Sequence, residues 1–236
     1  DKIIYKWNNV LNNRNKKFSI IIPNYNKAPY IKDCLNSVMN QTFRNYEVIF
    51  IDDCSTDNSL EIASSFKNIT VLKTKKNIQA GGARNLGLKK AKGEYILYVD
   101  SDDIMEENGI LNLYNEFLKD NTLEAVFSMS HEFVSPELSD EDKRKLKARP
   151  DDYFGALAGC SMIKKEVFDK IGTFDEVLKA GDIVEYQIRL QQKNIKVKKI
   201  NVVTSRRRLH NNNFGRSNKQ QEYKDYITIL RNKLNK

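Results

Sequence analysis

The chain has 236 residues, 40% of them hydrophobic and 30% charged, with a formal net charge of +9. That length supports one sizeable core or two halves sharing a sheet, and leaves too little for two independent domains. No apolar run approaches a membrane span, and Cys34, Cys54 and Cys160 are too scattered for a disulfide framework or a thiolate zinc site. Both features point to a soluble protein of a reducing, cytoplasmic compartment.

The positive charge is uneven. It is +4 over residues 1–17 (five basic, one acidic), −6 over 18–192 (22 basic, 28 acidic) and +11 over 193–236 (13 basic, two acidic). Aromatic residues do not interleave with the basic ones and no nucleic-acid module signature is present, so nucleic acid is not the expected partner. The basic C-terminal segment suits a peripheral contact with anionic lipid head groups, and equally a solvated helix face.

In chain order, residues 1–17 predict a polar helical lead-in. Phe18–Ile22 is a short β-branched run stopped by Pro23, which predicts a buried strand, followed by a helix over Ala28–Met39. Strands are expected at Tyr46–Ile51, Ile69–Leu72 and Glu94–Val99, with helices at Asp57–Phe66, capped near Ser55 or Thr56, and at Gly81–Ala91. Alternation of strand and helix at this spacing means a parallel sheet with helices on both faces, whose ligands sit beyond the carboxyl ends of the strands. Pro23–Asn26, Asp52–Asp57 and Asp100–Asp103 all fall at those ends.

Farther on, the pattern predicts a helix at Glu106–Lys119, a strand at Glu124–Phe133 and a variable charged loop over Pro136–Asp152. A short strand around Ala156–Ile163, helices at Lys165–Ile171 and Asp182–Lys193, a strand at Lys196–Val203 and a terminal helix from about Ser217 complete the chain.

Asp100-Ser101-Asp102-Asp103 places three carboxylates at the mouth of a buried strand, where their repulsion calls for a compensating cation. Oxygen ligands favour Mg²⁺ or Mn²⁺, although an acidic turn that caps the next helix has the same composition. Asp52 and Asp53 end another strand; one suits a nucleobase N–H, the other a turn. Asn77 and Gly81-Gly82-Ala83-Arg84 join small residues to a helix start, which suits a diphosphate or a ribose edge. No Gly-Lys-Ser/Thr follows and there is no Gly-x-Gly-x-x-Gly, which argues against P-loop and dinucleotide-binding readings.

Taken together, Ser19–Asn26, Ile51–Ser59, Asn77 with Gly81–Asn85, Gly93–Asp103 and Lys165–Glu176 form an ordered series of blocks that resembles the family-2 nucleotide-sugar glycosyltransferases. The resemblance spans roughly residues 18–215. It implies a GT-A-like three-layer α/β/α sandwich with a mostly parallel central sheet and a Rossmann-like N-terminal half. It divides the chain into the lead-in (1–17), a nucleotide-sugar-binding half (18–105), an acceptor-side and catalytic half of the same domain (106–216) and a basic C-terminal helix (217–236).

Carried over residue by residue, the resemblance implies that Pro23 and Tyr25 line the base pocket and Asp53 reads the base, with uracil expected. Asn77, Arg84, Asp100 and Ser101 would bind the rest of the donor, and Asp102 and His210 the metal, Mn²⁺ or Mg²⁺. Asp103 is left to cap a helix. Asp182 matches the catalytic base of an inverting transfer to an acceptor hydroxyl on a saccharide or lipid-linked saccharide. The family precedes that base with Glu, where this chain has Gly181; Glu185, one turn on, is a substitute carboxylate or the partner of an Arg. Arg206–Arg208 and Arg216 either close over the donor or form a solvated basic strand end. Gln187-Ile-Arg-Leu-Gln lacks the spacing and the Trp of processive members, so single addition is expected. An inactive nucleotide-sugar-binding module and a sugar nucleotidyltransferase are the alternatives.

Overall fold

A computed structural model describes residues 17–155, 158–213 and 219–234. All but the last residue of the expected lead-in over 1–17 lies outside these residues, as do Ala156 and Arg216. The elements are β1 (Phe18–Asn24), α1 (Ala28–Met39), β2 (Tyr46–Asp52), α2 (Ser59–Ser64), β3 (Ile69–Lys73), α3 (Gln79–Lys90), β4 (Tyr95–Tyr98) and β5 (Ile104–Met105). They continue with α4 (Gly109–Lys119), β6 (Ala125–Val134), α5 (Asp140–Lys145), β7 (Tyr153–Phe154), β8 (Ser161–Lys164), α6 (Lys165–Ile171), α7 (Asp182–Gln192), β9 (Val197–Leu209) and α8 (Lys219–Leu234).

The strands form one sheet in the order β3-β2-β1-β4-β8-β6-β9-β5, with β7 added to β6. Its parallel pairings are the long ones, four to nine residues each, and its antiparallel pairings span two or three. Successive residues of β1 show why both faces are covered. Ile20 and Ile22 pack with Ile31 and Leu35 of α1 and Leu113 and Phe117 of α4, whereas Ile21 packs with Ala83 and Leu88 of α3, Val167 of α6 and Tyr186 of α7. The result is helix, sheet, helix, as expected. Gly87 lets α3 lie close to the sheet: a Cβ there would be 2.4 Å from Ile21 Cγ2 and 2.9 Å from Ile51 Cδ1.

Three local expectations change. Pro23 does not end β1; it stays in register with Ile51 of β2. Its missing N–H faces the β4 side, where pairing has already ended at Ile21 and Tyr98, so no ladder bond is lost. The charged stretch after β6 contains α5, whose Ser139 Oγ accepts from Asp142 N at 3.1 Å. Finally, β9 runs past Val203 to Leu209, its register with β6 slipping between Phe127 and Ser130. Arg206–Arg208 therefore lie inside a strand between β6 and β5, not at a solvated strand end.

Candidate active site

A cleft of about 1410 Å³ opens at the carboxyl ends of β1, β2 and β4 and extends across β7 and β9 toward α7. Pro23, Tyr25, Asp53, Asn77, Arg84, Asp100, Ser101, Asp102 and Asp182 all line it. His210 lies behind Asp102, fully buried. Five separate segments thus deliver the residues singled out in the sequence to one place.

The two aspartates at the end of β2 divide their work. Asp52 accepts from Ser55 N and Asn24 Nδ2, each at 3.3 Å, and so shapes the turn. Asp53 faces the cleft, but its carboxylate also braces the loop before α3, accepting from Thr74 Oγ1 at 2.9 Å and Ile78 N at 2.9 Å. Burial raises its pKa despite those bonds. Asn77 likewise accepts from Gln79 N at 3.1 Å. Neither Ser55 nor Thr56 caps α2: Asp57 accepts from Ser59 N and from Ala28 N, each at 3.0 Å, tying the start of α1 to the start of α2.

Arg84, in the second turn of α3, is buried and holds two carboxylates together. One guanidinium nitrogen donates to Asp182 Oδ2, and Nη2 donates to Asp100 Oδ1 at 3.0 Å. Its plane also lies over Phe174, 5.7 Å from the ring centroid. This arrangement links the strand-end acidic cluster to the first residue of α7, across 98 residues of sequence.

The three clustered carboxylates have different surroundings. Burial alone would raise Asp102, but the hydrogen bond with His210 and the Lys27 ammonium outweigh it and hold the carboxyl well below its usual range. Lys27 Nζ is 2.9 Å from Asp102 Oδ2, and His210 Nε2 is 3.0 Å from the same oxygen. Asn212 N donates to His210 Nδ1 at 3.1 Å, which makes Nδ1 the acceptor and turns Nε2–H toward Asp102. Tyr30 stacks on the imidazole with centroids 4.2 Å apart. Asp100 is raised by burial against the pull of Arg84, and Asp103 is raised well above its usual range by burial and by its two neighbouring carboxylates. Asp103 caps no helix; it accepts from Arg208 N of β9 at 2.9 Å.

Other candidates fall outside the site. Glu185 is paired with Arg189, both contacts at 2.7 Å, so it does not substitute for the carboxylate missing at Gly181. Arg208 is buried, donating to Asp102 O at 3.0 Å, Ser135 Oγ at 3.2 Å and Asp33 at 2.8 Å. Arg206 sits over Phe133, 4.9 Å from its centroid. Of the three arginines only Arg207 lines the cleft, and it pairs with Glu132 at 3.3 Å. Burial pushes the Cys160 thiol up to about 12 and raises that of Cys34 well above its usual value, which fits packing and not nucleophilic chemistry.

Sequence reasoning passed over Lys27, Arg149, Tyr153, Phe154 and Tyr226, which also line the cleft. Lys27 was visible as the residue after the Pro-Asn-Tyr-Asn block. The aromatic residues carried no local signal, because β7 is two residues long and Tyr226 comes from the far end of the chain.

A sheet covered by helices on both faces, with an acidic cleft at its strand ends, is the architecture of the GT-A fold. The model for glycosyl transferase family 2 matches residues 19–172, and the chain belongs to that family. GlyG of Streptococcus pneumoniae is 43% identical over 102 residues, covering 42% of this chain and 34% of GlyG. The poly(ribitol-phosphate) beta-glucosyltransferase of Bacillus spizizenii is 46% identical over 112 residues, 44% of this chain and 18% of that protein. The chain therefore spans only a minor part of these relatives.

Among solved structures, S. aureus TarS in complex with UDP matches with a TM-score of 0.66 at 24% identity, over 82% of this chain and 60% of that one. The mannosyltransferase PcManGT of Pyrobaculum calidifontis, in complex with GDP-Man and Mn²⁺, matches with a TM-score of 0.69 at 15% identity, over 100% and 71%. These likenesses establish the fold.

Proposed function

We propose that the domain transfers a sugar, with inversion and by single addition, from a nucleoside-diphosphate sugar to a hydroxyl of a saccharide or lipid-linked saccharide. The observation that carries this reading is the placement of Asp182 in the same cleft as Asp100–Asp102, tied to them through Arg84. A UDP sugar is favoured because TarS has been solved with UDP and with UDP-GlcNAc. Residues 18–105 would form the donor half and 106–216 the acceptor half. Tyr153, Phe154, Tyr226, Gln187 and Gln191 give the acceptor side the ring faces and amides that suit a saccharide.

Asp182 would take the proton from the attacking hydroxyl. Its Oδ2 is held by Arg84, which leaves Oδ1 for the acceptor. As the bond between the sugar carbon and the diphosphate breaks, attack from the opposite face inverts the anomeric centre. Lys27 adds a positive charge near the departing group.

Among the described residues no three His, Cys, Asp or Glu side chains form a closed metal site. Asp102 and His210 would hold an open one once the imidazole gives up the Nε2 proton that it donates to Asp102 Oδ2. Mn²⁺ or Mg²⁺ held there would act as a Lewis acid on the diphosphate, and PcManGT, solved with Mn²⁺, supports this assignment.

No helix among the described residues is long and apolar enough to cross a membrane. A lipid-linked acceptor at the cytoplasmic face would agree with the outward face of α8, where Tyr223 and Leu230 are exposed beside Lys224 and Arg231.

The test is Asp182→Asn, assayed for release of UDP from UDP sugars and for UDP affinity. Turnover collapses while UDP binds as tightly as to the unaltered chain. If the unaltered chain binds nucleotide sugars but turns over none, it is a binding module and the catalytic reading fails.

A further inference from the structure

We propose that Asp225, on α8, is a positioning residue for Asp182, so that the C-terminal helix is a working part of the active site. This rests on the reading of Asp182 as the base. The three backbone amides immediately before Asp182 converge on one carboxylate oxygen: Lys179 N and Ala180 N are 2.7 Å from Asp225 Oδ2, and Gly181 N is 3.3 Å from it. Gln221 Nε2 fixes the other oxygen at 2.7 Å. Asp225 is buried although it lies 44 residues beyond Gly181.

The need for such a group is local. Gly181, the residue just before α7, has no side chain to accept a hydrogen bond, and the amides of Lys179, Ala180 and Gly181, which lie ahead of the donors an N-cap would serve, take their acceptor from α8. A carboxylate at a helix start is also favoured by the helix dipole. Asp225 supplies both from outside. With Arg84 gripping Asp182 from α3 and Asp225 gripping its approach from α8, the base is held from two sides.

Gly181 records the same contact. A Cβ there would be 2.8 Å from Ile229 Cδ1 and 3.1 Å from Asp225 Cβ, so α8 lies in the space a side chain would take. The residue after Asp225, Tyr226, lines the cleft together with Lys179 and Ala180.

The experiment measures kcat and KM for UDP-GlcNAc hydrolysis with Mn²⁺, UDP affinity, and hydrogen exchange of the amides of residues 179–181, in Asp225→Ala, Asp225→Asn and Asp182→Asn. Misplacing a base without touching the donor costs on the order of a hundredfold in kcat. We expect that loss in Asp225→Ala, with UDP affinity within about twofold and faster exchange at 179–181, and recovery of most of the rate in Asp225→Asn, which keeps an accepting oxygen. A merely structural aspartate would lower melting temperature and donor affinity together. Unchanged kcat with faster exchange, or Asn no better than Ala, overturns the proposal. Retained turnover in Asp182→Asn instead overturns the base assignment, a separate result. Should Asp225→Ala not fold, Gly181→Glu replaces it: kcat falls as α8 is pushed off, and adding Ile229→Ala restores part of it. No restoration counts against the proposal.

Discussion

Asp102 Oδ2 and His210 Nε2 stand 3.0 Å apart across 108 residues of sequence, with the Lys27 ammonium 2.9 Å from the same oxygen. A cation already sits beside the oxygen that would receive the metal. Like charges close together repel, so Lys27 opposes metal binding until phosphate oxygens draw it away. We predict that Lys27→Met binds Mn²⁺ more tightly than the unaltered chain without nucleotide, as read by titration calorimetry. Asp102→Asn and His210→Ala should lose on the order of ten- to a hundredfold in Mn²⁺-dependent UDP affinity. Equal affinities in all four proteins would remove the metal assignment.

Arg84 makes a different prediction, because it compensates two carboxylates from a buried position. Truncating one partner of such a network leaves uncompensated charge, at a cost of about 3–5 kcal/mol. Arg84→Ala should therefore melt roughly 10 °C lower as well as lose turnover, whereas Asp182→Asn, which keeps an acceptor for Arg84, should lose turnover with much less effect on melting. Differential scanning calorimetry of the two variants distinguishes the outcomes. A stable Arg84→Ala would mean the pair contributes little to the fold.

These couplings mark what could be read from sequence. The sheet was legible because β1, β2 and β4 are apolar runs that end in polar clusters, and those ends had to meet at one edge. Nine of the ten proposed site residues accordingly line the cleft. Pairing was not legible. That Arg84 grips Asp182, that Asp103 holds β9, and that Glu185 belongs to Arg189 depend on distances between elements that no local pattern encodes. The Ser-Arg-Arg-Arg run reads as a donor-closing segment or a solvated strand end because basic residues rarely enter the interior of a sheet; Arg208 is admitted by acceptors from Asp33, Asp102 and Ser135. Asp225 was hidden for the opposite reason, as one of two acidic residues on a basic helix.

Where α7 meets β4, the hydroxyls of Tyr98 and Tyr186 are buried and have no hydrogen-bond partner among the described residues. The Tyr186 ring stacks on Phe174 with centroids 4.6 Å apart and on Phe168 at 5.4 Å, so ring and hydroxyl contribute separately. Removing an unsatisfied buried hydroxyl recovers its desolvation cost, about 1–3 kcal/mol at most, while the stacking stays. Tyr186→Phe should raise or leave unchanged the urea midpoint, and Tyr186→Ala should lower it, with a loss of unfolding free energy of about 3–5 kcal/mol for the truncated core aromatic. A destabilised Tyr186→Phe would reveal a partner for the hydroxyl.

The α8 contact should also depend on pH. Burial alone would raise Asp225, but the amides of Ala180, Lys179 and Gly181 and the Gln221 side chain together hold its carboxyl below the usual range. A carboxyl whose folded pKa lies below its unfolded value of about 3.9 favours the folded state wherever it is ionised in both. That contribution is complete above about pH 4 to 5, and it disappears as the pH falls through the lower, folded value. Asp225→Asn keeps the shape but does not titrate. The difference in melting temperature between the unaltered chain and Asp225→Asn should thus be greatest near neutrality and shrink steadily below about pH 4. Differential scanning fluorimetry from acid to neutral pH measures it directly, with the protection of the amides of residues 179–181, taken relative to the intrinsic exchange rate at each pH, falling over the same acid range. A difference that stays constant with pH would show that Asp225 gains nothing from its charge, and would assign its effect to the shape of the loop alone.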